Sequence, residues 1–124
     1  MNSSIEKINC SSWTDWDLGK MEIDYNRIVV RLSEGSEVTV TIYCNDYIGI
    51  SYVGHWDESV IDRIYVEQDG NLIKESKMNI RKFYGVNPLK GGGTKEINDN
   101  WYQLNIKLMD GNSVLVACKN IVIV

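Results

Sequence analysis

The most chemically loaded stretch of the chain is Gly54-His55-Trp56-Asp57-Glu58, which sets the only histidine beside a tryptophan and two carboxylates. On an extended backbone, residues two apart point to one side, so His55 and Asp57 would share a face and the carboxylate could orient the imidazole as a general base. Nucleophilic catalysis through such a pair also needs a Ser or Cys brought near by the fold, which spacing does not supply. The competing assignment makes Trp56 a semi-buried anchor, His55 a surface residue and Asp57 the start of a turn. His55, Asp57 and Glu58 are therefore catalytic candidates only, with Trp56 as a binding candidate.

Other chemistry is less well supplied. One histidine, three dispersed cysteines and no DxDxDG loop or HExxH helix make no metal-ligand set, so neither a metal nor a cofactor is expected. Leu89-Lys90-Gly91-Gly92-Gly93-Thr94-Lys95 has the glycines and lysines of a phosphate cradle but lacks the GxxxxGK[ST] spacing and a following helix, so a connector is the better assignment. Lys74, Lys77 and Arg81 recur at helical spacing, with Lys82, Lys90 and Lys95 nearby and Glu75 as the only acid between 71 and 95. That basic face would suit an acidic or phosphate-bearing partner, against the plainer alternative of a solvated helix back. Nucleic acid is not expected as a partner, because the chain carries a net charge of −4 and no nucleic-acid motif.

The elements that must position these residues follow from periodicity. The chain has 124 residues, 44% hydrophobic and 24% charged, which suits one globular domain over 1–124 with a single core. The first twenty residues, holding Trp13 and Trp16, show no clean period and are assigned to loop with some strand. Apolar alternation through Met21–Leu32 changes phase at Asn26-Arg27, which suggests a bulge or break. Val38, Val40, Ile42 and Cys44 share a strand face after the turn Ser33-Glu34-Gly35-Ser36; Asn45-Asp46 is a turn candidate, and 47–53 is a further strand. Trp56 to Glu67 fits helix or strand and is assigned to strand for its β-branched content. Asp69-Gly70-Asn71 would cap a helix whose Ile73, Ser76, Ile80, Phe83 and Tyr84 share a face, ending at Gly85. Residues 86–100 are an irregular loop, and Tyr102–Leu108 with Val114–Cys118 form a hairpin around the type I′ dipeptide Asp110-Gly111.

Charge is divided unevenly: residues 1–70 hold 13 acids and 5 bases, and 71–124 hold 4 acids and 8 bases. No apolar run reaches bilayer length and no leader is read at the N-terminus, so a cytoplasmic chain with reduced cysteines is expected, without membrane contact. The apolar end Ile121–Val124, if it lay on an edge, would allow a homodimer through the C-terminal strand.

Tyr47-Ile48-Gly49-Ile50-Ser51-Tyr52-Val53-Gly54-His55-Trp56-Asp57-Glu58 and Trp101-Tyr102-Gln103-Leu104-Asn105-Ile106-Lys107-Leu108 resemble segments of small bacterial proteins. The resemblance implies a stand-alone bacterial protein and assigns no activity or site residue. The expected fold is α+β, a mainly antiparallel sheet of about six strands with one amphipathic helix packed on it. The expected function is a non-enzymatic binding or protein-interaction module, an immunity or accessory protein being its specific form, with Trp56, Lys74, Lys77, Arg81, Lys90 and Lys95 as binding residues. The alternative is a small-ligand-binding or hydrolytic domain centred on residues 54–58, with Gly91 to Gly93 as a lid.

Overall fold

The computed structural model describes residues 3–35, 38–52, 60–84 and 100–124, with the side chains of 38 and 80–84 outside that description. The fold is α+β, and the described residues form six antiparallel strands and two helices: α1 (Ser3–Cys10), β1 (Asp17–Ile23), β2 (Arg27–Glu34), β3 (Val38–Ser51), β4 (Ile61–Glu67), α2 (Asn71–Tyr84), β5 (Tyr102–Leu108) and β6 (Ser113–Ile123). The strand order is β1-β2-β3-β6-β5-β4. The two ends of that order meet, because Asp17 bridges Val60, Asp15 N–H donates to the Ile61 carbonyl at 3.0 Å and Ile61 N–H donates to the Trp16 carbonyl at 2.7 Å. The sheet is thus rolled into a partly closed barrel.

Alternation decides what fills it. Ile28, Val30 and Leu32 from β2, Ile42 and Cys44 from β3, and Val114, Val116 and Cys118 from β6 are all fully buried or nearly so, and they join one apolar cluster with residues of β1, β4 and β5. Each large side chain removed from water in this way contributes roughly 1.5–3 kcal/mol. The barrel is packed with side chains.

Helix α1 replaces the loop expected at the N-terminus. Eight residues are too few to hold a helix in water, so its stability comes from Ile5 and Ile8, one turn apart and buried in the barrel cluster. Its C-terminal carbonyls are taken by side chains: Ser11 Oγ donates to Lys7 and Trp13 Nε1 donates to Ile8 at 2.9 Å. Trp13 is buried and stacks edge-on against half-buried Trp16, with ring centroids 4.9 Å apart, so both tryptophans belong to the core and its margin.

The phase change at Asn26-Arg27 is a hairpin turn, in which Asp24 N–H donates to the Arg27 carbonyl at 2.8 Å. The expected turn at Asn45-Asp46 is absent. β3 runs through it as one long strand, kinked at Asp46 with φ 55°, whose N–H donates to Asn26 in the neighbouring turn, and its register with β6 slips between Tyr47 and Gly49. β3 pairs with β2 from residue 38 to 45 and with β6 from residue 42 to 51, so residues 42–45 are bonded on both sides and the kink falls where the β2 pairing ends. Asp110-Gly111 does lie in the β5–β6 connection, but only Gly111 has a positive φ, 92°, which excludes type I′. The loop instead has a Gly111 N–H bond to Leu108 followed by a Leu108 N–H bond to Asn112.

The C-terminal strand is not an edge. β6 lies between β3 and β5, Val124 and Thr41 exchange backbone hydrogen bonds, and Ser4 Oγ of α1 accepts from Ile123 N–H where β5 has ended. The free edge that a dimer through this strand would use is occupied within the chain.

Candidate interaction surface

Helix α2 lies outside the barrel. Leu72 and Ile73 pack with Trp101 and Ala117, against Ile48 and Leu115, on the sheet face that points away from the main core. Two glycines permit the approach: a Cβ on Gly49 would collide with Ser76 Oγ, and one on Gly70 would collide with the Gln103 amide. The helix N–H groups that an expected cap at Asp69-Gly70-Asn71 would take are taken by a side chain from a strand, since Gln103 Oε1 accepts from Leu72 N–H at 2.9 Å and Ile73 N–H at 3.4 Å.

From that cap a polar chain crosses the outer face. Gln103 Nε2 donates to Asn105 Oδ1 at 2.7 Å, and Asn105 Nδ2 donates to Glu67 Oε2 at 2.9 Å. Gln103 and Asn105 are only 3% and 2% exposed, so these amides are held as rigidly as core residues. They floor a shallow depression of about 290 Å³, rimmed by Tyr65, Asp69, Asn71 and Lys107. The Arg63 guanidinium stands 4.7 Å from the centre of the Tyr65 ring and the Lys107 ammonium 6.0 Å from it. Cation–π attraction of this kind fixes the ring's attitude while leaving it half-buried.

Sequence reasoning missed Arg63, Tyr65, Glu67, Gln103, Asn105 and Lys107. Gln103, Asn105 and Lys107 alternate with apolar residues, which reads as a wet strand face; packing of α2 beside it is what buries the first two. Of the expected binding residues, Lys74 is exposed and Lys77 half-buried on α2. Arg81 lies on the same helix with its side chain outside the described residues, and so do Trp56, Lys90 and Lys95 entirely. His55, Asp57, Glu58 and the Gly91 to Gly93 run also lie outside them. Among the described residues no group of three or more His, Cys, Asp or Glu side chains could hold a metal.

Cys44 and Cys118 are buried free thiols on neighbouring strands. Hydrogen bonding with Cys118, and then burial, pushes the Cys44 thiol well above the ordinary thiol range, so it stays protonated and unreactive. No helix of the described residues is long and apolar enough to cross a membrane. Comparison with protein-family models, with curated proteins and with solved structures finds no match for the chain.

Proposed function

We propose that this protein is a non-enzymatic, protein-binding module of a bacterium, an immunity or accessory protein in its specific form, which docks a partner on the outer face around Tyr65. The observation that carries the reading is the Arg63–Tyr65–Lys107 cluster beside a hydrogen-bonded polar floor. Tyrosine and arginine are the residue types that concentrate binding energy at protein interfaces, and an anchor already held in position loses little freedom on docking. Arg63 and Lys107, with Lys74 on the exposed side of α2, favour a partner whose surface carries carboxylates. The Glu67 carboxylate, already engaged by Asn105, supports a polar contact at the centre of the patch.

The test is affinity capture from lysate of the source cell with wild type, Tyr65→Ala, and a chain with Lys74, Lys77 and Arg81 reversed in charge. A protein retained by wild type, lost by Tyr65→Ala and weakened by the charge reversal is the expected result. Capture indifferent to both variants would remove this face from the interaction. A co-purifying metabolite with no protein would transfer the function to a small-ligand site.

A further inference from the structure

The chain contains two Asp-Gly steps, Asp69-Gly70 and Asp110-Gly111, and each is followed by asparagine. Asp-Gly is the step at which a peptide bond migrates most readily. The glycine nitrogen attacks the side-chain carboxyl carbon of the aspartate, water leaves, and a five-membered succinimide closes. Glycine favours the attack because no Cβ shields its nitrogen and its backbone turns freely. Water then reopens the ring at either carbonyl, and opening at the main-chain carbonyl leaves the backbone running through the side chain as isoaspartate. One water is lost and one regained, so the mass is unchanged and no co-reactant is needed.

The fold treats the two steps differently. At Asp110 both carboxylate oxygens are held from two residues ahead, Oδ1 by Asn112 N–H at 2.9 Å and Oδ2 by Asn112 Nδ2 at 3.1 Å. The attacking nitrogen is engaged as well, because Gly111 N–H donates to the Leu108 carbonyl at 3.1 Å. Closing the ring there breaks these bonds and the turn they form. At Asp69 the side chain is exposed, and among the described residues nothing bonds its carboxylate or the Gly70 N–H. No hydrogen bond to either reacting group has to break before that ring closes.

We propose that Asp69-Gly70 is a spontaneous modification site, converted to isoaspartate in the folded protein, while the bonding at Asp110-Gly111 guards the same sequence there. The site lies on the candidate surface: Asp69 and Asn71 stand on the rim of the Tyr65 depression, and Gly70 lies against the Gln103 amide without space for a Cβ. Lengthening the backbone by one carbon at that point disturbs the seat of α2 and the rim together. The chemistry itself does not rest on the binding role proposed above.

The test is to incubate wild type at neutral pH in buffer and, in parallel, in concentrated urea, then digest it and separate each aspartyl peptide from its isoaspartyl isomer of equal mass. In buffer Asp69 is expected to isomerise at least about tenfold faster than Asp110, a ratio set by the local opening that the guarded turn requires. In urea the two rates should come within about twofold of each other, because both steps are then Asp-Gly-Asn in an open chain. Asn112→Ala, which removes the bond to Asp110 Oδ2, should speed conversion of Asp110 about threefold in buffer and leave it unchanged in urea. If that variant does not fold by circular dichroism, the wild-type comparison decides. No conversion of Asp69 in buffer, equal or faster conversion at Asp110, a difference that persists in urea, or a folded Asn112→Ala chain with an unchanged rate would each overturn the proposal.

Discussion

Gly49 and Gly70 show how single residues set the docking of α2. At both, the missing side chain is the space another group occupies: Ser76 over Gly49, and the Gln103 amide against Gly70. Gly49→Ala should destabilise the fold by about 1–3 kcal/mol, the usual cost of forcing an atom into a packed contact, measured by urea unfolding. A loss below a few tenths would mean that α2 does not seat on the strand. Gln103→Leu tests the polar chain. It leaves two helix N–H groups and the Asn105 amide without their partner, which should cost about 1–3 kcal/mol and lower helical ellipticity. An unchanged stability would show that water replaces the cap.

Among the elements, β4 is the one whose outer edge is protected by small devices. Asn9 of α1 presents its side-chain amide to the strand as a backbone would, accepting from Val66 N–H at 2.7 Å and donating to the Val66 carbonyl at 3.3 Å. Thr14 Oγ1 donates to the Asp62 carbonyl at 3.1 Å, and Ile61 is held by residues 15 and 16. These contacts blunt an edge that would otherwise be open to pairing. Asn9→Ala should therefore accelerate amide exchange at Val66 and cost about 1–2 kcal/mol, with β2 and β6 amides little changed. Equal acceleration across the sheet would place Asn9 in the global unfolding step instead.

On the scale of the whole molecule, the barrel interior carries a pH dependence through Cys44. Its raised folded value means that the native thiol keeps its proton where the unfolded chain, with a thiol near about 8.5, has lost it. The native state then binds more protons, so stability is complete below that value and falls as pH rises through the window up to the folded value. Thermal melts between about pH 8 and about pH 10 should show a steeper loss in wild type than in Cys44→Ala, even though the variant starts lower from its core cavity. Parallel slopes would contradict a protonated Cys44.

The sequence by itself determined the α+β class, the apolar faces of β2, of the first half of β3, and of β5 and β6, and the amphipathic α2. These follow from the two-residue and 3.6-residue periods, which local geometry imposes on any chain that buries one face. It also marked the glycine at 111 and the exposed Lys74. Only the tertiary structure decided that α1 is a helix, because eight residues gain their stability from a core that distant strands build. It alone decided that Asn45-Asp46 is a kink, since the hydrogen bond from Asp46 goes to Asn26 in another turn. It placed β6 between β3 and β5, although an apolar C-terminus reads equally well as an edge. The surface around Tyr65 depended on the same long-range facts. Alternation tells which residues share a face, but whether a polar face stays wet or is buried is settled by what packs beside it, and Gln103 and Asn105 are buried because α2, joined to the sheet through Gly70, comes down next to them.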